Sequence, residues 1–211
     1  MAGEPLVSSN LAGAIKLPEP RQASDTSVES ALCRRRSVRE FEREALPLAE
    51  ISQLLWAAQG ITDPEGKRTA PSAGALYPLE VLLVAGKEGV LSAGVYRYRP
   101  QGHDLACVAE GDQRTKLAAA ALGQDWLADA PVTIVIAAIY ERTARKYRQR
   151  AERYVHMEVG HVAQNVHLQA VALDLGTVVV GAFDDVEVKR VLSLAANEQP
   201  LCLMPVGKVR E

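Results

Sequence analysis

The chain has 211 residues, 48% of them hydrophobic and 24% charged, which is enough apolar chain for one buried core and points to a single globular domain. A formal net charge of −2 excludes bulk electrostatic attraction to nucleic acid or an anionic membrane as the organising principle. No apolar run is long enough to span a bilayer, and residues 1–20 lack the basic start and continuous apolar stretch of a signal peptide. Cys33, Cys107 and Cys202 form no Cys-x-x-Cys pair, so the expectation is a reducing, cytoplasmic setting without a disulfide framework or a cysteine-held metal.

Along the chain, residues 1–24 are rich in Pro, Ser and Ala and read as an extended arm. A first helix is expected in "DTSVESALCRR", with Thr26 and Glu29 as a capping box. In "PLAEISQLLWAAQG", Leu48, Ile51, Leu54, Leu55 and Ala58 form one stripe, and Gly60 is the expected stop. A polar loop, "TDPEGKRT", leads into "APSAGALYPLE". Four apolar runs read as strands: "LEVLLVAG", "PVTIVIAAIY", "TVVVGAF" and "LCLMPVG". Successive apolar residues in the second and third predict strands covered on both faces. "GVYRYRPQGHDLACVAEG" reads as a hairpin turning near Gln101–Gly102, with His103 exposed in the turn. "DQRTKLAAAALG" is a short helix. "RYVHMEVGHVAQNVHLQAVALDLG" is a long one ending at Gly176, burying Val155, Val159, Val162, Val166 and Leu173. The order predicts an α+β sandwich, a mixed sheet with flanking helices.

Five stretches can carry chemistry. "CRRRSVREF" offers Arg34, Arg35, Arg36, Ser37 and Arg39, either a phosphate-binding set or a solvated basic helix end. "APSAGALYPLE" has small residues that let backbone approach a ligand closely, but neither the spacing of a dinucleotide fingerprint nor that of a P-loop; alone it reads as a turn. Glu158, His161 and Asn165 share a helix face, which favours a hydrogen-bonding or interface role over a metal site, because no second ligand set is present. In "ERTARKYRQRAERY", Lys146 and Tyr147 can act as acid or base, within a segment whose charge suits an exposed helix. The tail "PVGKVRE" places Lys208 and Arg210 after a strand, either against a phosphate or as a frayed terminus. There is no Gly-x-Ser-x-Gly elbow and no cysteine beside a histidine, so hydrolase chemistry has no support.

Taken together, "RRRSVREF", "ISQLLWAAQGIT", "RTAPSAGALYPLEVLLV", "GVYRYRP", "RYVHMEVGHVAQNVHLQA" and "VVVGAFDD" resemble, in order, the nitroreductase superfamily of flavoproteins, and within it the SagB-type, thiazole/oxazole dehydrogenase branch. The resemblance covers about residues 14–210. It implies an arm over 1–24 and one FMN-binding domain over 25–211, in an intertwined homodimer whose sites lie at the subunit interface. It implies cofactor contacts from Arg35, Arg36, Ser37 and Arg39; from Pro71, Ser72, Ala73, Gly74 and Leu76 of the other chain; from Val180, Gly181 and Ala182; and from Lys208 and Arg210 at the phosphate. Arg36 or Arg39 would be the cation beside the flavin edge. Many nitroreductases carry an asparagine where this chain has Ala75, a departure shared with the SagB-type branch. The implied activity is FMN-dependent oxidoreduction between NAD(P)H or an organic donor and a small organic acceptor. Alternatives are dehydrogenation of azoline rings on a modified peptide, with Lys146 and Tyr147 catalytic, and flavin binding without turnover.

Overall fold

A computed structural model describes residues 13–210, so the first half of the expected arm and Glu211 lie outside the described residues. The core is one sheet of seven strands: β1 Ala14–Lys16, β2 Leu79–Ala85, β3 Gly94–Arg99, β4 Asp104–Glu110, β5 Val132–Ala138, β6 Gly176–Thr177 and β7 Gln199–Gly207. Their spatial order is β1-β4-β3-β2-β5-β7-β6, and every pairing is antiparallel.

The consecutive apolar residues of β2 and β5 follow from helices on both faces. On one face, Val81, Leu83, Ile134 and Ile136 pack with α2 (Leu48–Gln59) and α5 (Ala151–Ala172), through Ile51, Leu55, Val155, Val162 and Val166. On the other, Leu82, Val84, Val135 and Ala137 pack with α3 (Arg114–Ala120) and α6 (Asp185–Leu192), through Leu117, Val188, Val191 and Leu192. Each fully buried Leu or Val contributes about 1.5–3 kcal/mol of transfer free energy, so the two cores together fix the layers. The remaining helices are α1 (Val28–Arg34) and α4 (Tyr140–Tyr147).

The structure changes several expectations. Ser27, not Thr26, caps α1, its hydroxyl accepting from the Ser30 N–H at 3.1 Å. Gly60 does end α2, but at φ −63°; its lack of a side chain matters because a Cβ would lie 2.1 Å from Trp56 Cδ1. The long helix stops at Ala172, four residues before Gly176, and the left-handed residue beyond it is Asp174 at φ 55°. Val159 and Leu173 are only half-buried. The expected strand "TVVVGAF" is cut short: β6 ends at Thr177, and over residues 178–183 pairing resumes only as the bridge Val180–Leu203. His103 is not idle in its turn. Its ring meets Ser52 Oγ at 2.7 Å, Tyr98 Oη at 2.9 Å and the Pro18 carbonyl at 3.0 Å. The described part of the arm belongs to the core, with Ile15 and Leu17 buried and Arg21 exchanging two hydrogen bonds with Gln53.

Candidate functional site

The arginine stretch leaves α1 and runs beside β6, where Ser37 bridges Thr177 in parallel and the Val38 N–H donates to the Thr177 carbonyl at 3.0 Å. The tail returns along the same stretch: Phe41 bridges Val209, and the Arg210 N–H donates to the Glu40 carbonyl at 3.1 Å. That pairing runs the arginine stretch alongside the tail, but the side chains diverge: of the expected contacts only Arg36 lines the recess beside β6, while Arg39 lies by Trp126, Arg210 within 3.9 Å of Asp129 and Lys208 against Glu44. That recess, of about 300 Å³, opens between Arg34, Arg36, Val38, His167, Asp174 and Thr177. Arg34 pairs with Asp174 at 2.8 Å, and Arg36 donates to the Cys33 and Arg35 carbonyls at 2.9 and 2.8 Å. Arg39 lies over the Trp126 ring, 5.9 Å from its centroid. Lys208 is held by Glu44 at 2.7 Å, and Arg210 donates to the Phe41 carbonyl at 2.6 Å. Burial and the nearby Arg35 both lower the His167 imidazole from its ordinary value, which favours the neutral ring. Thr177 Oγ1 is buried and unpartnered. A recess that offers the Arg36 guanidinium and the spare Thr177 hydroxyl, with Arg34 already paired to Asp174, has donors that suit a phosphate group.

The small-residue loop lies at the other half of α5. Three of its residues adopt left-handed backbone, Gly74 at φ 64°, Ala75 at φ 54° and Tyr77 at φ 45°, and only the first is free of the Cβ penalty. Side chains beneath the loop hold that conformation. Tyr77 N–H donates to Ser72 Oγ at 2.9 Å, and Arg68 N–H donates to Tyr77 Oη at 3.2 Å. The Arg68 guanidinium stacks 4.4 Å from the Tyr77 ring centroid and donates to Gln59 Oε1 at 2.8 Å. Glu158 of α5 lies beneath these contacts, its carboxyl near the Ser72 hydroxyl and the Gln59 amide, while Gln59 Nε2 and Arg68 Nε are buried without a hydrogen bond. Glu158 is 2% exposed, and its Oε1 lacks a well-formed hydrogen bond. Burial pushes this carboxyl up to about 7, against the opposing pull of Ser72, Gln59 and Arg68.

Lys146 and Tyr147, at the end of α4, form the outer wall of the loop. A Cβ on Gly74 would lie 2.9 Å from Tyr147 Oη and 3.0 Å from Lys146 Nζ, so a larger residue would add backbone strain and displace the tips of those two side chains. Val180 is buried and exchanges 2.8 and 2.9 Å hydrogen bonds with Leu203, whereas Gly181 and Ala182 are exposed. The expected site residues thus fall into separate groups within one chain. Glu158, under the loop, and His167, in the arginine recess, are nine residues apart on α5, about 13 Å along its axis. Of the Glu158–His161–Asn165 face, Glu158 supports the loop and Asn165 donates to the Ala57 and Thr69 carbonyls at 3.1 and 3.3 Å, while His161 is exposed.

Gln59, Arg68, Tyr77 and Thr177 are supporting residues that sequence reasoning missed. The one signal available was Gln59, a polar residue within an apolar helix; the Arg68–Tyr77 stack has no periodic signature.

Sheet order, two helical layers and paired polar walls define an α+β sandwich of the nitroreductase kind. A solved structure from Ralstonia eutropha has it with a TM-score of 0.84 at 30% identity, over 100% of this chain and 96% of that one. The chain belongs to the Nitroreductase family, which matches residues 32–208. MJ1384 of Methanocaldococcus jannaschii, a protein named for the nitroreductases, is 48% identical over 194 residues, 92% of this chain and 96% of that protein. There is distant homology to the SagB-type branch through the Escherichia coli microcin B17-processing protein McbC, 30% identical over 81% of this chain and 65% of McbC. In the solved McbBCD microcin synthetase complex with truncated pro-MccB17 bound, the matching chain has a TM-score of 0.73 at 29% identity, over 82% of this chain and 68% of that one. Among the described residues, no helix is long and apolar enough to cross a membrane, and no cluster of His, Cys, Asp and Glu could hold a metal ion.

Proposed function

We propose that this oxidoreductase is an FMN-dependent enzyme that accepts hydride from NAD(P)H or an organic donor and reduces a small organic acceptor, and that it works as a homodimer. The observation that carries the reading is the separation of a phosphate-competent arginine recess from a strained small-residue loop along one helix. Each is half of a flavin site, and a second chain supplies the missing half. Arg35, Arg36, Ser37 and Arg39 would hold the phosphate and the polar flavin edge, with Lys208 and Arg210 behind them. Pro71, Ser72, Ala73, Gly74 and Leu76 would cover the ring, beside Val180, Gly181 and Ala182. Bound FMN supplies reversible two-electron chemistry. The chain's own tasks are to bind it, to hold the loop rigid through the Arg68–Tyr77–Ser72 contacts above Glu158, and to keep water from one face. The domain would take in the expected 25–211 together with the described part of the arm, whose strand Ala14–Lys16 pairs with β4.

The test is anaerobic reduction of the purified protein. A yellow spectrum bleached by NADH or NADPH is expected; a protein that neither carries nor takes up FMN overturns the reading. Dilution to monomer should release the flavin, whereas a monomer that retains it contradicts the shared site.

Azoline dehydrogenation on a peptide is a second reading, favoured by one contact: Lys146 and Tyr147 sit against Gly74. Replacing either should abolish peptide oxidation and leave FMN bound. Unchanged oxidation removes that reading.

A further inference from the structure

The junction between α4 and α5 carries a charge that the rest of the chain does not share. Residues 141–153 contain Arg142, Arg145, Lys146, Arg148, Arg150 and Arg153 against Glu141 and Glu152, in a protein of net charge −2. Arg142 is used internally, donating to Glu80 and to the Tyr77 carbonyl. The other five are exposed, and among the described residues none has a carboxylate partner. Elsewhere exposed cations commonly do: Arg43 with Asp129, Lys67 with Glu65, Arg190 with Glu187. The helix dipole accounts for Arg145 and Lys146 in the last turn of α4, but it disfavours Arg150 and Arg153 at the start of α5, and like charges at this density repel one another.

Backbone geometry adds a second observation. Arg148 adopts φ 49°, ψ −123°, a conformation that L side chains rarely take, and it separates α4 from the 3-10 turn Arg148–Arg150 that leads into α5. Strain of this kind persists where surrounding structure imposes it, and it concentrates at binding sites. The bend creates two adjoining recesses. One, of about 540 Å³, is lined by Lys146, Tyr147, Arg148, Gln149 and Arg150; the other, of about 300 Å³, by Gln149, Arg150, Glu152, Arg153 and His156. The first begins at Lys146 and Tyr147, the side chains against Gly74.

We propose that the Arg145–Arg153 ridge binds the 2′-phosphate of NADPH and makes NADPH, rather than NADH, the preferred hydride donor. This rests on the flavoprotein reading above. A donor whose nicotinamide reaches the loop must lay the rest of its length over adjoining surface, and the ridge is the cationic surface that borders the loop. The two donors differ by one phosphate monoester, nearly a dianion at pH 7, which is the group guanidinium forks bind through paired hydrogen bonds. Compact recesses within a nine-residue stretch suit a phosphate better than an acidic polypeptide or nucleic acid, which would need a longer basic track.

The experiment compares 2′,5′-ADP with 5′-ADP by calorimetric titration of the purified protein, a measurement that needs no turnover. The wild type should bind 2′,5′-ADP about tenfold or more tightly than 5′-ADP, a preference that weakens with salt. Arg148→Gln/Arg150→Gln should erase that preference with the circular dichroism spectrum unchanged, whereas Arg190→Gln on α6 should retain it. In turnover, the double variant should raise KM for NADPH by about tenfold and leave KM for NADH within about twofold. Equal affinity for the two nucleotides, or a preference that survives the double variant, overturns the proposal. Preferential 2′,5′-ADP binding by a protein that takes up no flavin overturns the flavoprotein reading and leaves the phosphate site standing. Equal reduction by NADH and NADPH does the reverse.

Discussion

Replacing Glu158 with Gln keeps the shape of the side chain beneath the loop and removes its titration. In the wild type the carboxyl is pushed from 4.5 to about 7 by burial, so the folded state favours the neutral acid. The sign follows directly: the stability this provides is fully present below the unfolded value and is lost as pH rises through the folded one. At about 1.4 kcal/mol per pH unit, the interval corresponds to at most about 3.5 kcal/mol. For a chain of this length that is at most about 7–14 °C in Tm. Melting temperatures of wild type and Glu158→Gln, taken from pH 4 to 8 at fixed protein and flavin concentration, should diverge in favour of the variant between about pH 4.5 and 7 and run parallel above that. Taking the difference cancels Glu50 and His167, which also titrate with burial-shifted values. A difference that stays flat across the range would mean that Glu158 is ionised and solvated in the folded protein, and its buried place beneath the loop would be wrong.

Gly74→Ala should lower Tm by about 2–8 °C, the effect of about 1–2 kcal/mol of left-handed strain, and should also weaken FMN retention because Lys146 and Tyr147 must move; an unchanged flavin Kd would show that the loop tolerates the displacement. Arg97 donates to both oxygens of Glu198 at 2.6 and 3.0 Å and to Glu80 at 2.8 Å. Arg97→Met strands the buried Glu198 carboxylate and should cost about 3–5 kcal/mol in denaturant unfolding at pH 7. Burial pushes Glu198 up, but Arg97 and the Ala195 N–H outweigh it and hold the carboxyl below its usual range. Its contribution is therefore lost as pH falls through that lowered value, and the deficit of Arg97→Met should shrink in acid. Ser27→Ala should cost about 1 kcal/mol through loss of the α1 cap, whereas Thr26→Ala should be silent in the same melts.

Legibility in the sequence followed how each element is buried. β2 and β5 were plain because helices cover both faces, and a run of Val, Leu and Ile is the result. α5 was plain because its twenty-two residues repeat the helical period several times over. Residues 177–183 looked the same as β5, yet only Thr177, Val178 and Val180 are buried, and Val179 and Gly181 point outward from a single bridge. α6 escaped notice because eight residues with Val188, Val191 and Leu192 buried hardly express a period. The arginines and the loop were legible as chemistry but not as partners. Their positions at different heights on α5 depend on contacts such as Asn165–Thr69, 96 residues apart, and Arg34–Asp174, 140 apart, and nothing in local spacing encodes that. The contacts under the loop were hidden for the same reason, since Gln59, Arg68, Ser72 and Glu158 meet only after α2 and α5 pack.

The short strands at the two ends of the sheet have a consequence for assembly. β1 occupies the outer side of β4 at residues 104–106, and the Ser37–Thr177 bridge occupies the outer side of β6. Both edges are therefore largely spent, leaving residues 107–110 of β4 as the main open length among the described residues. An unpaired edge is where one sheet recruits another and where aggregation starts. This chain covers most of its borders with its own arm and its own arginine stretch, so little edge is left for another sheet to extend. The segment that carries the arginines thus also serves as a guard strand, and a change that frees it from Thr177 should expose a sticky border as well as empty a binding recess.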